Sequence, residues 1–331
     1  MKGQLKYGIL AFLGAAVTAA CSLVDENLSD CETDYHLDYE LRLVTNLTTE
    51  LEAELSAAAD VSVVQSLETY LGGIFSSHAH DVDLSFYDVE GDLARLHHES
   101  HIMDAEQSSY TLYIPIRKYM HLAVANLADS PELSLQGDGF CGTARIAQQV
   151  QDTISSHRSG LFTARLPMDI QEGVDQQFDV RLYMANCSAS LVIDTLGSHV
   201  KDLKVFMTGF ATGFDIRDSL YRYDYTPVVK ADEVPLEEKG QVCFTAVTFP
   251  SRTVATKADV ESLWRITAYA TLPDGSITQT ILGVPDPLPA GHLRVFKAKA
   301  RENGQVAPGD PSMAVSVTMD WTPGIDSEII L

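Results

Sequence analysis

Residues 263–282 read LWRITAYATLPDGSITQTIL, and this stretch indicates the fold most directly. Apolar and polar residues alternate on both sides of Pro273-Asp274-Gly275, as half-buried strands require. The turn has a physical basis, because proline pre-sets one backbone dihedral angle and glycine accepts a positive φ. The stretch therefore predicts a β-hairpin.

Other alternating segments surround this hairpin throughout the second half of the chain. Short strands at this spacing, with turns between them, favour a β-sandwich over a parallel α/β sheet. The predicted strands span residues 178–183, 189–195, 203–208, 240–248, 263–272, 276–282, 293–300 and 313–321.

The first half mixes strands with short helical inserts. Alternation predicts strands over residues 37–43, 82–87, 110–115 and 122–124. Residues 49–52 match a capping box and predict a short helix, which Leu55 would continue. A second helix is expected with Leu67 and Leu71 on one face, ending at Gly72-Gly73. Thr143 is expected to cap a third helix, whose apolar face would comprise Ile146, Val150 and Ile154.

The amino terminus, MKGQLKYGILAFLGAAVTAAC, has the layout of a bacterial secretion signal. Lys2 and Lys6 precede an apolar segment that is too short to span a bilayer, and small residues lead directly to Cys21. A cysteine in this position can take a diacylglycerol and an acylated amino terminus, and several chains together give stable anchoring. We expect lipidation at Cys21; the alternative is a soluble secreted protein whose Cys21 pairs or stays a thiol.

Length and charge limit the organisation of the 331 residues. We expect a lipoprotein signal peptide over 1–20, an acidic tether over 21–34, an N-terminal β-sandwich domain with a helical insert over 35–159, and a C-terminal β-sandwich domain over 160–331. A net charge of −23 gives no electrostatic basis for binding nucleic acid or an anionic lipid surface. No second apolar stretch reaches the length of a spanning helix, so Cys21 is the expected anchor.

Four cysteines remain if Cys21 carries lipid, and an even number in an oxidising compartment allows two disulfides. Proximity along the chain favours the pairs Cys31–Cys141 and Cys187–Cys243. The alternative is that these cysteines are buried thiols acting as small hydrophobic side chains.

No pattern indicates catalysis, a cofactor or a metal. The chain has no nucleophile elbow, P-loop or dinucleotide fingerprint. Two histidine-rich clusters lie beside turn signals, where exposed histidine is expected without a metal. The clusters comprise His78, His80 and Asp81, and then His97, His98, Glu99 and His101.

Aromatic residues are the features that could bind a carbohydrate. Trp264 and Trp321 lie within alternating strands, so burial is expected for both. Tyr221, Tyr223 and Tyr225 alternate and form the best candidate for an exposed strip, the alternative being a strand packed by its neighbours.

Four segments in this order resemble the anchor lipoproteins of Bacteroides-type fimbriae, the minor-fimbrium anchor family related to the fimbrillins. The likeness extends thinly over most of residues 21–324, and no single segment is specific to the family. The segments are CSLVDENLSDC at 21–31, VDLSFYDVEG at 82–91, YTLYIPIRKYMHLAVAN at 110–126 and VSVTMDWTPG at 315–324.

The resemblance implies an all-β protein with two tandem transthyretin-like, Greek-key β-sandwich domains. It also implies attachment to the outer membrane through the lipid on Cys21, at the cell surface, and fimbrial subunits as partners. Subunits would join by strand addition, in which main-chain hydrogen bonds extend an open sheet edge. The alternative function is that of a surface lipoprotein that binds polysaccharide.

Overall fold

The computed structural model describes most of the chain after the predicted tether. The described residues are 34–44, 61–75, 80–102, 109–172, 176–236, 239–254, 262–309 and 313–318.

Strands make up nearly all of the regular structure in these ranges, and the helix is α1 (Val61–Ile74). The strands of the first part are β1 (Asp34–Val44), β2 (Asp81–Asp88), β3 (Arg95–Ile102), β4 (Ser109–Pro115), β5 (Lys118–Ala125), β6 (Leu133–Gln136), β7 (Arg145–Gln148), β8 (Thr153–Ser155), β9 (Phe162–Asp169), β10 (Gln177–Met184) and β11 (Cys187–Asp194).

The remaining strands continue this pattern towards the carboxyl end. They are β12 (Asp202–Thr208), β13 (Gly213–Asp215), β14 (Leu220–Arg222), β15 (Val228–Lys230), β16 (Asp232–Val234), β17 (Gln241–Thr248), β18 (Trp264–Thr271), β19 (Ile277–Val284), β20 (Leu293–Ala300), β21 (Val306–Pro308) and β22 (Ala314–Thr318). The all-β fold class expected from the sequence is therefore confirmed.

A seven-stranded sheet with the order β3-β2-β5-β9-β10-β1-β4 contains most of the first part of the chain. Strand β1 lies near one end, parallel to β10 and antiparallel to β4. Because β10 follows β1 by more than a hundred residues, this pairing brings distant parts of the chain into one sheet.

Helix α1 lies against one face of this sheet. Val63, Leu67, Leu71 and Phe75 recur every four residues and are buried in the first hydrophobic core. One apolar stripe of this kind places a helix on a sheet. The helix face predicted from the sequence is confirmed, although the helix continues through Gly72-Gly73 to Ile74. The helix predicted over residues 49–52 lies outside the described residues.

Two sheets, built from later strands together with β8 and β11, pack face to face around a second core. Their orders are β16-β17-β11-β20-β21 and β22-β19-β18-β12-β15-β8. Leu191, Phe244 and Phe296 of the first meet Ile266 and Trp264 of the second in this core. Such packing of two inner faces is the arrangement of a β-sandwich.

The hairpin that opened the sequence analysis is confirmed as β18 and β19. The two strands pair from Trp264↔Val284 to Thr271↔Ile277 without a register shift. At the turn Leu272 N–H donates to the Ser276 carbonyl at 2.9 Å, and Gly275 has a φ of +88°. The positive φ is what glycine was expected to supply.

The helix predicted after Thr143 is wrong. Residues 145–148 form β7 and residues 153–155 form β8, which belong to different sheets. Ile146 and Ile154 are buried in separate cores, whereas Val150 between them is 83% exposed. The four-residue spacing thus arose from two short strands and the loop that joins them.

Residues 159 and 160, where the sequence suggested a domain boundary, lie between strands β8 and β9, which belong to different sheets. Strands β9 and β10 follow that point but pair with β5 and β1 of the seven-stranded sheet. Strand β8 precedes it but pairs with β15. A four-stranded sheet, β14-β13-β7-β6, also combines strands from both parts. Strand β10, which ends at Met184, is the last strand along the chain that belongs to the seven-stranded sheet.

Candidate functional site at the sheet edges

Cys21 and Cys31 lie outside the described residues. Within the described ranges, no helix is both long and apolar enough to cross a bilayer.

The prediction of a disulfide between Cys187 and Cys243 is wrong. Both are buried thiols, and they lie on opposite faces of the same sheet, in the second and the first core respectively. Cys243 is registered opposite Val192, five residues along β11 from Cys187, which is about 16 Å at the rise of a strand. A disulfide requires Cα atoms closer than about 7 Å.

Burial keeps these thiols protonated. It raises the pKa of Cys243 to about 12 and raises the pKa values of Cys187 and Cys141 as well. A neutral, buried thiol is unreactive. Cys141 is also a free thiol in the structure. The alternative noted from the sequence, of buried cysteines acting as small hydrophobic side chains, is what the structure has at all three positions.

The sheets offer edges, and these are the features through which a β-protein can recruit another strand. Edges are normally protected by shortness, charge, proline or bulges. Five of the edge strands are protected by their length, having three or four residues each. They are β6, β8, β14, β16 and β21.

Strand β3 is a longer edge, but polar groups and a bulge protect it. The Glu99 carboxylate lies 2.6 Å from His97 Nε2 and 2.8 Å from His101 Nε2. On the opposite face, His98 Nε2 lies 2.7 Å from the Asp83 carboxylate. The register with β2 shifts beside Phe86, which marks a β-bulge.

The histidine clusters do not assemble a metal centre in the part of the chain that the structure describes. No group of three His, Cys, Asp or Glu side chains there has a geometry that could hold a metal ion. Each imidazole of β3 instead contacts a carboxylate, as described above. His78 lies outside the described residues, and the His80 backbone N–H donates to Asn126 Oδ1 at 2.7 Å.

Strand β4, at the other end of the same sheet, lacks each of the usual protections along its length. It reads SYTLYIP and carries no charge, and its proline is the last residue. It pairs with β1 over seven consecutive positions without a register shift. Leu112 and Ile114 are buried in the first core, whereas Tyr113 is 58% exposed. Among the described strands, none pairs with its outer side.

The tyrosine strip is packed rather than displayed. The Tyr221 hydroxyl donates to the Ala185 carbonyl at 2.8 Å, and its ring contacts Phe214 at a centroid distance of 4.7 Å. Tyr223 donates to the Ser251 carbonyl at 2.8 Å, and burial raises its pKa to about 12. The alternative reading of a packed strand therefore applies to these two tyrosines.

The remaining aromatic candidates give no carbohydrate platform in the described residues. Tyr225 donates to the Gln149 carbonyl at 2.9 Å. Trp264 is 1% exposed and donates its indole N–H to the Asp286 carbonyl at 2.9 Å. Trp321 lies outside the described residues.

A groove of about 700 Å³ separates α1 from β16 and the residues after it. Its helical wall is polar and includes Gln65, Glu68 and Thr69, while Val234 and Leu236 line the other side. At one end the Tyr70 hydroxyl donates to the Asp232 carboxylate at 3.2 Å. Burial, and then Asp232, raises the pKa of Tyr70, so its hydroxyl stays a donor. Sequence reasoning missed this groove because its walls come from distant segments.

Solved structures share this fold. A candidate adhesin from Bacteroides ovatus is similar with a TM-score of 0.51 and 10% identity, covering 86% of this chain and 95% of that one. A candidate adhesin from Bacteroides thetaiotaomicron has a TM-score of 0.50 and 11% identity, covering 84% and 95%. The fimbrial anchor protein Mfa2 from Porphyromonas gingivalis was also found, with a TM-score of 0.48 and 8% identity, covering 87% and 99%.

At these identities the likeness is one of fold. No family model and no curated protein matches the chain. The all-β fold that the resemblance implied is shared by the two Bacteroides candidate adhesins.

Proposed function

We propose that this protein is a non-catalytic surface lipoprotein that serves as an anchor or accessory subunit of a fimbrium. It recruits subunits by strand addition to an open sheet edge. The observation that carries the proposal is the long, uncharged edge at β4, on a body that shares the fold of candidate adhesins. A subunit of this kind needs a rigid body and an edge, and neither a cofactor nor a metal.

The proposed location is the outer membrane, with the chain exposed at the cell surface. The lipid on Cys21 would hold the protein there, and residues 21–34 would separate the body from the bilayer. The net charge of −23 disfavours attachment through anionic headgroups, so anchoring would rest on the acyl chains. Fimbrial subunits are the proposed partners, and nucleic acid is not among them.

Replacing Cys21 with alanine should release the protein from the membrane. Acyl chains contribute about 0.8 kcal/mol per buried methylene group, and their loss leaves no comparable attachment. Fractionation should find Cys21→Ala in the soluble fraction, and mass spectrometry should find acyl chains on the wild type only.

A matched control is Cys31→Ala, which removes a nearby cysteine and should leave the protein in the membrane fraction. The anchoring proposal fails if wild-type protein carries no acyl chain and Cys21→Ala remains bound to the membrane. Recruitment has its own test: membranes holding the wild type should retain an identified fimbrial subunit that membranes lacking the protein lose.

A second candidate function, binding of polysaccharide, is favoured by the groove beside α1. The groove combines hydroxyl, amide and carboxylate groups with an apolar side, and none of the residues named in its lining is a cation. Such a surface suits a neutral sugar, which presents hydroxyl groups at its rim and apolar C–H groups on its faces. The volume of about 700 Å³ is large enough for a short oligosaccharide.

Calorimetric titration with neutral oligosaccharides tests the second candidate. Maltotriose, xylotriose and chitotriose are suitable probes. If the groove binds one of them, Glu68→Ala should weaken binding about tenfold, because a charged acceptor is lost. Glu90→Ala, in a turn away from the groove, should leave the affinity unchanged. Absence of heat with all three probes, or equal affinity in both variants, would count against the second candidate.

A further inference from the structure

Two aromatic side chains are buried on a sheet face that lies outside the three hydrophobic cores. Phe206 of β12 and Tyr269 of β18 are each 3% exposed, and their rings meet edge to face at a centroid distance of 5.7 Å. Their neighbours along the two strands, Val205, Met207 and Ala268, point into the second core. Because side chains alternate along a strand, Phe206 and Tyr269 lie on the opposite, outer face of this sheet.

The strand register places four further side chains around the two rings. They are Thr267, Lys230, Lys204 and Gln279. Neighbours on the same face contact a ring at its edges and leave its outward part accessible, so an exposure of 3% requires a layer of chain above the sheet. Burial also raises the pKa of the Tyr269 hydroxyl, which accepts a hydrogen bond from Gln279 Nε2 at 3.0 Å.

This outer face is basic, although the protein is acidic. Among the described side chains of β8, β12, β15, β18 and β19, three cations and one carboxylate share the face, whereas the whole chain has 46 acidic and 23 basic residues. The cations are Lys204, Lys230 and Arg265, and the carboxylate is Asp202. A layer above these cations should be acidic, because covering a charge with neutral groups removes its hydration without compensation.

Residues 319–331, MDWTPGIDSEIIL, have the composition that such a layer requires. Six of the thirteen are apolar residues other than proline and glycine, three are acidic, and none is basic. Pro323-Gly324 is a turn signal, which would return the chain towards the sheet after it leaves β22.

The position of β22 places the start of this segment close to the two rings. Thr318, the last residue of β22, is paired with Gln279, and Gln279 is paired with Tyr269. Thr318 therefore lies two strand spacings, about 10 Å, from Tyr269. Residues 325–331 reach about 23 Å when extended, which is enough to cross β19, β18 and β12.

We infer that residues 319–331 fold back over the outer face of β12 and β18. Their apolar side chains cover Phe206 and Tyr269, and their carboxylates lie beside Lys204 and Lys230. The contact joins two parts of one chain across a sheet face, so it is independent of lipid anchoring and of strand addition at a sheet edge.

Carbodiimide coupling of the purified full chain tests the contact. The reagent joins a lysine amine to a carboxylate that touches it, forming an amide while the carbodiimide takes up the water and becomes a urea. Peptide mass mapping should find Lys204 or Lys230 linked, within one molecule, to a carboxylate of residues 319–331. Lys299 Nζ lies 3.7 Å from the Asp194 carboxylate, so this pair should also couple and serves as the positive control.

Charge reversal tests the attraction between the sheet and the segment. Glutamyl endopeptidase should cleave after Glu328 only in molecules whose segment has left the sheet. The double variant Lys204→Glu with Lys230→Glu repels the acidic segment, and cleavage after Glu328 should be about tenfold faster than in the wild type. Lys230→Glu alone serves if the double variant fails to fold.

The matched control is Arg294→Glu with Lys297→Glu, which reverses two exposed cations on β20 in another sheet. It should change the cleavage rate less than twofold. Equal acceleration in the two double variants would overturn the inference, and so would wild-type cleavage as fast as that of a synthetic peptide of residues 319–331.

The coupling experiment can also contradict the inference. It does so if Lys299 couples to Asp194 while neither Lys204 nor Lys230 couples to residues 319–331, or if these lysines couple only to another segment or to a second molecule. Neither measurement involves a membrane or a fimbrial subunit, so the inference and the proposed function can fail separately.

Discussion

Replacing Gly209 with alanine should lower the free energy of unfolding by about 3–4 kcal/mol. Gly209 follows β12 with a φ of +100°, a backbone conformation that disfavours a Cβ atom. A Cβ built there would lie 2.7 Å from Trp264 Cα and 2.8 Å from the Leu263 carbonyl oxygen. Both are backbone positions, so relief requires β12 and β18 to separate around the buried Trp264.

Gly275→Ala is the matched control for this prediction. Gly275 also has a positive φ, +88°, but nothing lies within 4 Å of a Cβ placed on it. It should lose only the backbone preference, about 1 kcal/mol. Urea unfolding measures the loss in the free energy of unfolding for each variant. The difference between the two losses is the cost of the clash between the new Cβ atom and the neighbouring strand. Equal losses in the two variants would contradict the packing argument.

Alternation predicted the long strands well because one face of each strand is buried more deeply than the other. In β18 the buried residues Trp264, Ile266 and Ala268 alternate with the half-buried Arg265 and Thr267, so the sequence pattern and the packing coincide. In β19 burial also alternates, but the buried positions include Thr278 and Thr280. The hairpin turn at Gly275 was predictable for the same local reason, since its geometry depends on the residues of the turn itself.

Short strands were less predictable because pairing, rather than alternation, defines them. Strands β13, β15 and β16 have three residues each, too few for a period to emerge. Strand β9 was missed although it has eight residues. Its first three residues, beginning at Phe162, are all buried, and this burial obscures the alternation.

Only part of the candidate site, the edge strand β4, could be predicted from the sequence. The absence of charge in SYTLYIP can be read from the letters, but its place at an edge depends on β1 and β10 pairing from distant parts of the chain. The same limit explains the cysteine prediction. Proximity along the chain suggested Cys187–Cys243, whereas the face to which each thiol points depends on its strand and register.

The stability of the folded protein should fall by about 5 kcal/mol between pH 7 and pH 4.5, through two buried histidines. His121 on β5 is fully buried and stacks on Phe86 at a centroid distance of 4.3 Å. His157 is 1% exposed and lies edge-on to Phe249. Burial lowers the pKa of His121 to about 4 and that of His157 to about 3.

The direction follows from comparing the two states. In the unfolded chain both imidazoles take up protons as the pH falls through about 6.5, while in the folded protein they stay neutral until about pH 4 and pH 3. Over that window the unfolded state binds more protons, so acid favours unfolding by about 1.4 kcal/mol per pH unit for each histidine. Burial raises the pKa values of Asp81 and Glu132, and these carboxyls act in the opposite direction at the acidic end.

Urea unfolding at several pH values, with variants that remove each imidazole, separates the histidine contribution from the carboxyls. His157→Leu should remove about half of the pH dependence, since neither of its ring nitrogens has a hydrogen-bond partner among the described residues. His121→Phe should remove most of the rest but lose the contact of Nδ1 with the Ser85 carbonyl, 3.0 Å away, so some stability is lost at every pH. His199→Gln is the control, because that ring is exposed and its removal changes no buried group. The variant that combines His157→Leu with His121→Phe gives the decisive comparison. If its free energy of unfolding falls between pH 7 and pH 4.5 as steeply as that of the wild type, the acid sensitivity does not come from these two rings. Protonating them inside the fold would then cost less than their burial indicates.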